Sequence, residues 1–143
     1  MVRNTLSPDG EREPPLAQCS VLVVDDDPFI LQTVSEILRD EGYQVETAQN
    51  ALEAARTVAR AHPSVVLLDI RMPGLDGPRF ARELRARDIR PKILVMTAAY
   101  NARRWAEEIG ADAYLEKPFE LEELIGVVAR ACGETGGPTE AEA

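Results

Sequence analysis

Short β-branched apolar runs alternate with longer amphipathic stretches along the middle of this chain, and the two periods predict its elements. "VLVV" (21–24), "SVVLLD" (64–69) and "KILVM" (92–96) are almost continuously apolar, as expected of central strands of a parallel sheet covered on both faces. "YQVET" (43–47) and "AYLE" (113–116) are thinner and read as strands nearer an edge. Between them, Ile30, Val34, Ile37 and Leu38 form an i, i+4, i+7, i+8 stripe, which predicts a helix over 28–40 with Pro28 in its first turn. A second helix is expected over 50–61, striping Leu52 or Ala51 with Ala55, Val58 and Ala59 and stopping before Pro63. Further helices are expected over 76–87 (Phe80, Leu84), 101–109, and 120–131 (Leu121, Leu124, Ile125, Val128).

The order is strand then helix, five times over. With connections this short, right-handed crossovers put helices on both faces of one parallel sheet, so the expected fold is α/β, an open doubly wound (βα)5 domain of five strands. The domain is expected to span 19–132. Ahead of it, "MVRNTLSPDGEREPPLAQ" is polar and proline-punctuated and reads as a flexible leader over 1–18; behind it, "GETGGPTEAEA" (133–143) reads as a disordered acidic tail.

Charge narrows the function classes. The 143 residues carry 25 acidic and 16 basic side chains, a net −9, which argues against broad attraction to nucleic acid or an anionic membrane surface. No apolar run approaches the roughly 20 residues needed to span a bilayer, and a cytoplasmic protein is expected. Cys19 and Cys132 have neither zinc-site spacing nor the density of a secreted disulfide scaffold, and are expected as two free thiols.

Open α/β sheets bind ligands outside the carboxyl ends of their strands, and the polar residues of this chain fall there. Asp25 and Asp26 end the first strand, Asp69 the third and Thr97 the fourth, while Lys117 and Pro118 follow the fifth. Three carboxylates in one crevice repel unless a cation neutralises them, and an all-oxygen site suits Mg²⁺, with Mn²⁺ able to substitute. A lysine and a hydroxyl nearby are suited to holding phosphoryl oxygens. No "GxxxxGK[ST]" or "GxGxxG" loop is present, so neither a nucleotide cradle nor a dinucleotide site is indicated. The acceptor should then be a carboxylate, and Asp69, at the end of the most apolar strand, is the best placed to attack phosphorus.

With "VLVVDDDP", "VVLLDIRMPGLDG", "ILVMTA" and "AYLEKPF" in that order, residues 20–131 resemble the receiver domain of two-component response regulators, a flavodoxin-like fold. The resemblance implies a phosphoaccepting module of a two-component or phosphorelay system, taking a phosphoryl group onto Asp69 from phosphohistidine on a histidine kinase or histidine phosphotransfer protein. It would catalyse its own Mg²⁺-dependent phosphorylation and dephosphorylation without turning over a separate substrate. By the same resemblance the metal ligands are Asp26 directly, Asp25 largely through water, Asp69, and the backbone carbonyl of Arg71. Thr97 and Lys117 would bind phosphoryl oxygens, with a cis bond before Pro118. Arg71 and Ala99 would border the path of the hydrolytic water, Ala98 would leave room for the phosphodonor, and Tyr114 would turn inward on phosphorylation. The fourth helix, fifth strand and fifth helix would then form the face for a downstream protein partner or a phosphorylation-dependent dimer, with Arg103, Arg104 and Trp105 on it.

Several residues keep a plainer reading beside this one. Asp27 also suits a helix cap, Asp76 and Gly77 a turn and helix start, His62 a helix end, and Trp105 ordinary packing. Rival functions are a non-phosphorylated pseudo-receiver that binds partners, a receiver belonging to a larger transcription regulator, and a small aspartyl-phosphate phosphohydrolase. Against the last, Arg71 stands where a second general acid would be wanted and no cap segment is evident.

Overall fold

The structure is a computed structural model, described here over residues 19–98 and 100–133. The expected leader, the tail from residue 134 onward and the expected role of Ala99 lie outside the described residues. Five strands and five helices alternate: β1 (Ser20–Val24), α1 (Pro28–Asp40), β2 (Gln44–Ala48), α2 (Ala51–Ala61), β3 (Val65–Asp69), α3 (Gly77–Ala86), β4 (Lys92–Thr97), α4 (Ala102–Ile109), β5 (Ala113–Glu116) and α5 (Leu121–Ala131). All strands pair in parallel in the order β2-β1-β3-β4-β5, so the three most apolar strands are internal and the two thinner ones are edges. This is the doubly wound flavodoxin-like fold, with element bounds within a residue or two of those expected.

Side chains alternate across the sheet, and both sets are apolar because both faces are covered. Val21, Val23, Val65, Leu67, Leu94 and Met96 point to one side, where Leu31, Val34 and Leu38 of α1 and Leu124, Val127 and Val128 of α5 bury them. Leu22, Val24, Val66, Leu68, Ile93 and Val95 point to the other, under α2, α3 and α4. The first-strand run is continuous for this reason; a half-exposed strand would alternate.

Local chemistry starts the helices. The Asp27 side chain accepts a hydrogen bond from the Phe29 N–H at 2.9 Å and Pro28 opens α1, so Asp27 is a helix cap. Asp76 caps α3 by accepting from the Arg79 N–H at 3.1 Å, and Gly77 is needed beside it because a Cβ there would lie 2.7 Å from Ile109 Cδ1 of α4. His62, exposed and left-handed at φ 48°, ends α2 as expected. Removing the Asp27 cap in Asp27→Ala is expected to cost about 1 kcal/mol in urea unfolding while leaving Mg²⁺ binding at the neighbouring carboxylates intact.

Three expectations fail: Leu121, expected in the apolar stripe of α5, is 48% exposed, and Val127 is buried on that helix with Leu124 and Val128. The buried face of α2 is Ala54, Thr57 and Val58; Leu52 is 59% exposed and Ala59 faces solvent. The exposed Glu53, Arg56 and Arg60 mark the opposite face and fix the rotation of this amphipathic helix, and Thr57 is buried in place of a larger apolar residue. Likewise Cys19 and Cys132 are not free thiols but a disulfide, with Cα atoms 6.0 Å apart across 113 positions of sequence. In a parallel (βα)5 domain the starts of strands and the ends of helices share one edge. A cysteine just before β1 and another just after α5 therefore meet there.

Candidate phosphoacceptor site at the carboxyl edge

Four strand ends build the site. Because β1 lies between β2 and β3, and β4 follows β3, the loops after β1, β3 and β4 open side by side, and the loop after β5 brings Lys117 to them. The Asp25 N–H extends the ladder one step by donating to the Ala48 carbonyl at 3.1 Å, so its side chain is held at the end of the strand and is fully buried. At the same edge Asp69 is the last residue of β3 and opposes Met96 in register, with Thr97, also fully buried, the next residue of β4. Lys117 is tied down through its own backbone, whose N–H donates to the Thr97 carbonyl at 2.8 Å, and the Lys117–Pro118 bond is cis, as the resemblance implied.

Carboxylate oxygens of Asp25, Asp26 and Asp69 all lie within 4.8 Å of one another. Asp25 and Asp69 are buried, whereas Asp26 is exposed and opens the cluster to solvent. Lys117 Nζ donates to Asp25 Oδ2 at 2.6 Å and to Asp69 Oδ2 at 3.4 Å, a forked contact that partly neutralises the pair. The other oxygens of both residues are also used: Asp25 Oδ1 accepts from the Asp27 N–H at 3.0 Å, and Asp69 Oδ1 from the Arg71 N–H at 3.0 Å.

Electrostatics follow from this packing. Burial pushes the Asp69 carboxyl above its ordinary value; the Arg71 N–H opposes the shift, the Asp25 charge adds to it, and Lys117 again opposes it. For Lys117, burial acts to lower the ammonium pKa, but the hydrogen bond and charge of Asp25 together with the charge of Asp69 outweigh it, and the group is raised. Lys117 is therefore firmly protonated, while the two buried carboxylates are held close despite their repulsion.

The donor set fits a hard divalent cation. Three carboxylates offer oxygen ligands only, one of them faces water, and their mutual approach is favourable only when positive charge is shared among them. Among the described residues this is the one cluster of three or more His, Cys, Asp or Glu side chains with that geometry.

The remaining expected residues lie around it. Arg71 contributes its backbone N–H to Asp69 and its side chain is exposed; Ala98, exposed, follows Thr97. Tyr114 on β5 is 41% exposed and Trp105 on α4 is 40% exposed, while Arg103 and Arg104 pair with Glu107 and Glu108 one turn on. Lys117, expected beside this site to hold phosphoryl oxygens, lies closer to Asp25 than to Asp69. A basic residue following the fifth strand is legible in sequence, but which carboxylate it favours depends on loop geometry.

An open parallel sheet with an acidic cluster and a lysine at its carboxyl edge is the arrangement expected of a receiver domain, and it lacks the glycine-rich loop of a nucleotide or dinucleotide site. Residues 21–129 match the family described as response regulator receiver domain, and the chain belongs to that family. Among curated relatives, response regulator MprA of Mycobacterium sp. (strain KMS) is 43% identical over 107 residues, covering 73% of this chain and 46% of MprA. The chain thus matches less than half of that relative's length. Two solved structures share the fold at higher coverage. Response regulator TrrA from Thermotoga maritima, in complex with Mg²⁺–BeF, is 36% identical at a TM-score of 0.71, over 80% of this chain and 99% of TrrA. The receiver domain of sensor histidine kinase PA1611 from Pseudomonas aeruginosa PAO1, with a magnesium ion coordinated in its active-site cleft, is 32% identical at 0.72, over 81% of this chain and 98% of that domain. No described helix is long and apolar enough to cross a membrane.

Proposed function

We propose that this receiver accepts a phosphoryl group on Asp69 from a phosphohistidine of a histidine kinase or histidine phosphotransfer protein, in a Mg²⁺-dependent reaction. The observation that carries this reading is the convergence of Asp25, Asp26 and Asp69 within 4.8 Å beside Lys117. Asp25, Asp26, Asp69 and the backbone carbonyl of Arg71 are the groups that would hold the ion, which supplies neutralising charge to the transferring phosphoryl oxygens.

The chain's own groups account for the rest. A carboxylate oxygen of Asp69 attacks phosphorus, the P–N bond breaks with its electron pair going to the imidazole nitrogen, and an acyl phosphate remains. Lys117, already charged and within 3.4 Å of Asp69, is positioned to exchange its carboxylate contact for one to a phosphoryl oxygen. Thr97 would supply a hydroxyl from the adjacent strand, and Arg71 would flank the route of the water that later hydrolyses the product. The new negative charge would redraw the Thr97 and Tyr114 region, and with it the surface formed by α4, β5 and α5, toward a protein partner or a second copy.

Incubation with acetyl phosphate and Mg²⁺ is expected to add one phosphoryl mass, reversed on standing. Asp69→Asn should lose that gain, and chelation of Mg²⁺ should suppress it in the parent chain. Equal labelling of Asp69→Asn would mean that another side chain is the acceptor; no labelling of the parent, with Mg²⁺ binding absent, would favour the pseudo-receiver.

A further inference from the structure

At the opposite edge of the sheet from Asp69 lies a covalent feature that phosphoryl transfer does not use. Cys19 precedes β1 and is buried in the core between α1 and α5; Cys132, half-buried, caps the carboxyl end of α5. They are the only two cysteines in 143 residues. Their Cα separation of 6.0 Å is that of an ordinary disulfide.

We propose that Cys19 and Cys132 form a reversible, thiol-controlled clasp that fixes the carboxyl end of α5, and through it the α4–β5–α5 surface, separately from chemistry at Asp69. The inference rests on the proposed function in one respect: a receiver served by a phosphohistidine donor works alongside a kinase in the thiol-reducing cytoplasm, where a disulfide is a state to be entered and left rather than a permanent staple.

Three observations support the clasp. Among the described residues, the last turn of α5 packs on the core through the partly buried Ala131 and Cys132. Val127 and Val128 are buried, but Arg130 is exposed, and beyond it the backbone is held by the Cys132 N–H on the Val128 carbonyl at 2.9 Å and the Gly133 N–H on the Arg130 carbonyl at 3.0 Å. That same turn forms one wall of a groove of about 680 Å³ between α4, β5 and α5, where Val127, Arg130 and Ala131 face Arg103, Leu94 and Tyr114. Loosening the turn therefore reshapes the surface that a partner would read. Finally, five residues of β1 separate Cys19 from Asp25, roughly 20 Å along the strand, so the bridge can open without touching the acidic site.

Cys19 is buried and Cys132 half-buried, which sets the order of reaction. With a low-molecular-weight disulfide such as glutathione disulfide as oxidant, the Cys132 thiolate attacks one sulfur and releases one thiolate. The Cys19 thiolate, its proton lost to solvent, then attacks the Cys132 sulfur and releases the second. Two protein thiols and one reagent disulfide become one protein disulfide and two reagent thiols, and excess thiol reverses both steps.

The test uses the full chain, equilibrated in glutathione buffers from reducing to oxidising, trapped by alkylation and mapped by mass spectrometry, with amide hydrogen exchange and acetyl phosphate labelling on the same samples. Expected are a linked Cys19–Cys132 peptide under oxidising buffer and two alkylated thiols under reducing buffer. In the reduced form exchange should quicken over residues 121–133 and stay unchanged over 65–69, and the thermal midpoint should fall by roughly 10 °C. Cys132→Ser should behave like the reduced form in either buffer, which separates the bridge from the reagent. A bridge that survives reducing glutathione in the folded protein, thiols that never pair, or a bridge that opens without altering exchange in α5 would each overturn the clasp. Labelling of Asp69 should be equal in both redox states. Labelling lost only on oxidation would overturn the claimed separation, whereas labelling absent in both would count against the phosphoacceptor reading and leave the redox result standing by itself.

Discussion

Lys117→Ala is expected to destabilise the metal-free protein by about 3 kcal/mol, the scale of cost when one partner of a buried ionic group is removed and the others stay behind. Asp25 and Asp69 are both buried, with side chains 1% and 7% exposed, and Lys117 is the cation that contacts them. Without it, the two carboxylates face each other with the backbone N–H donors of Asp27 and Arg71 in support. The loss should be largest near neutral pH and shrink in acid, because a protonated Asp69 no longer repels Asp25. Mg²⁺ should recover part of it by binding the folded chain alone, about 2.7 kcal/mol at a hundredfold excess over the dissociation constant. Urea unfolding of parent and variant, with Mg²⁺ and with chelator, measures both terms. A variant as stable as the parent in chelator would show that Lys117 does not offset the buried carboxylates. Phosphoryl labelling of the variant should fall as well, since the Lys117 contact to a phosphoryl oxygen is lost even when Mg²⁺ restores the fold.

The contrast between what could and could not be read from the sequence lies in how locally each feature is encoded. Buried parallel strands are continuous apolar runs, so β1, β3 and β4 were legible within a residue, and the weaker alternation in β2 and β5 correctly marked them as edges. The acidic cluster was legible through the fold: once strand order is known, residues ending β1 and β3 must be neighbours, and Asp25, Asp26 and Asp69 are. Rotation of α2 was not legible from its alanines, which are alike in hydrophobicity, although the charged Glu53, Arg56 and Arg60 mark its exposed face. Nor was the role of Ser35, whose hydroxyl is buried on α1 and donates to the Leu31 carbonyl at 2.6 Å. The cysteine pair was missed although the topology contained it. The same rule that gathers strand ends at one edge gathers the Cys19 and Cys132 positions at the other.

Replacing the acceptor should have the opposite sign from replacing the lysine. In chelator near neutral pH, Asp69→Asn is expected to stabilise the chain by on the order of 1 kcal/mol, at the low end of what removal of a buried ionic group releases. The direction follows from linkage. Burial raises the folded-state pKa of Asp69 above its unfolded value, so the folded protein binds that proton more tightly. The corresponding stability is fully present below the unfolded pKa and is lost as pH rises through the folded pKa, leaving a penalty at neutral pH that an amide does not carry. The advantage of the variant should therefore vanish in acid, where Asp69 is protonated in both states. Adding Mg²⁺ should reverse the ranking: the parent gains stability through three carboxylates, whereas the variant retains Asp25 and Asp26 and gains less. Thermal or urea unfolding of both chains across pH, with and without Mg²⁺, gives the four comparisons. A variant less stable than the parent in chelator at neutral pH would mean that the Arg71 N–H and Lys117 contacts outweigh burial at Asp69, and that the charge on the acceptor is favourable before any metal arrives.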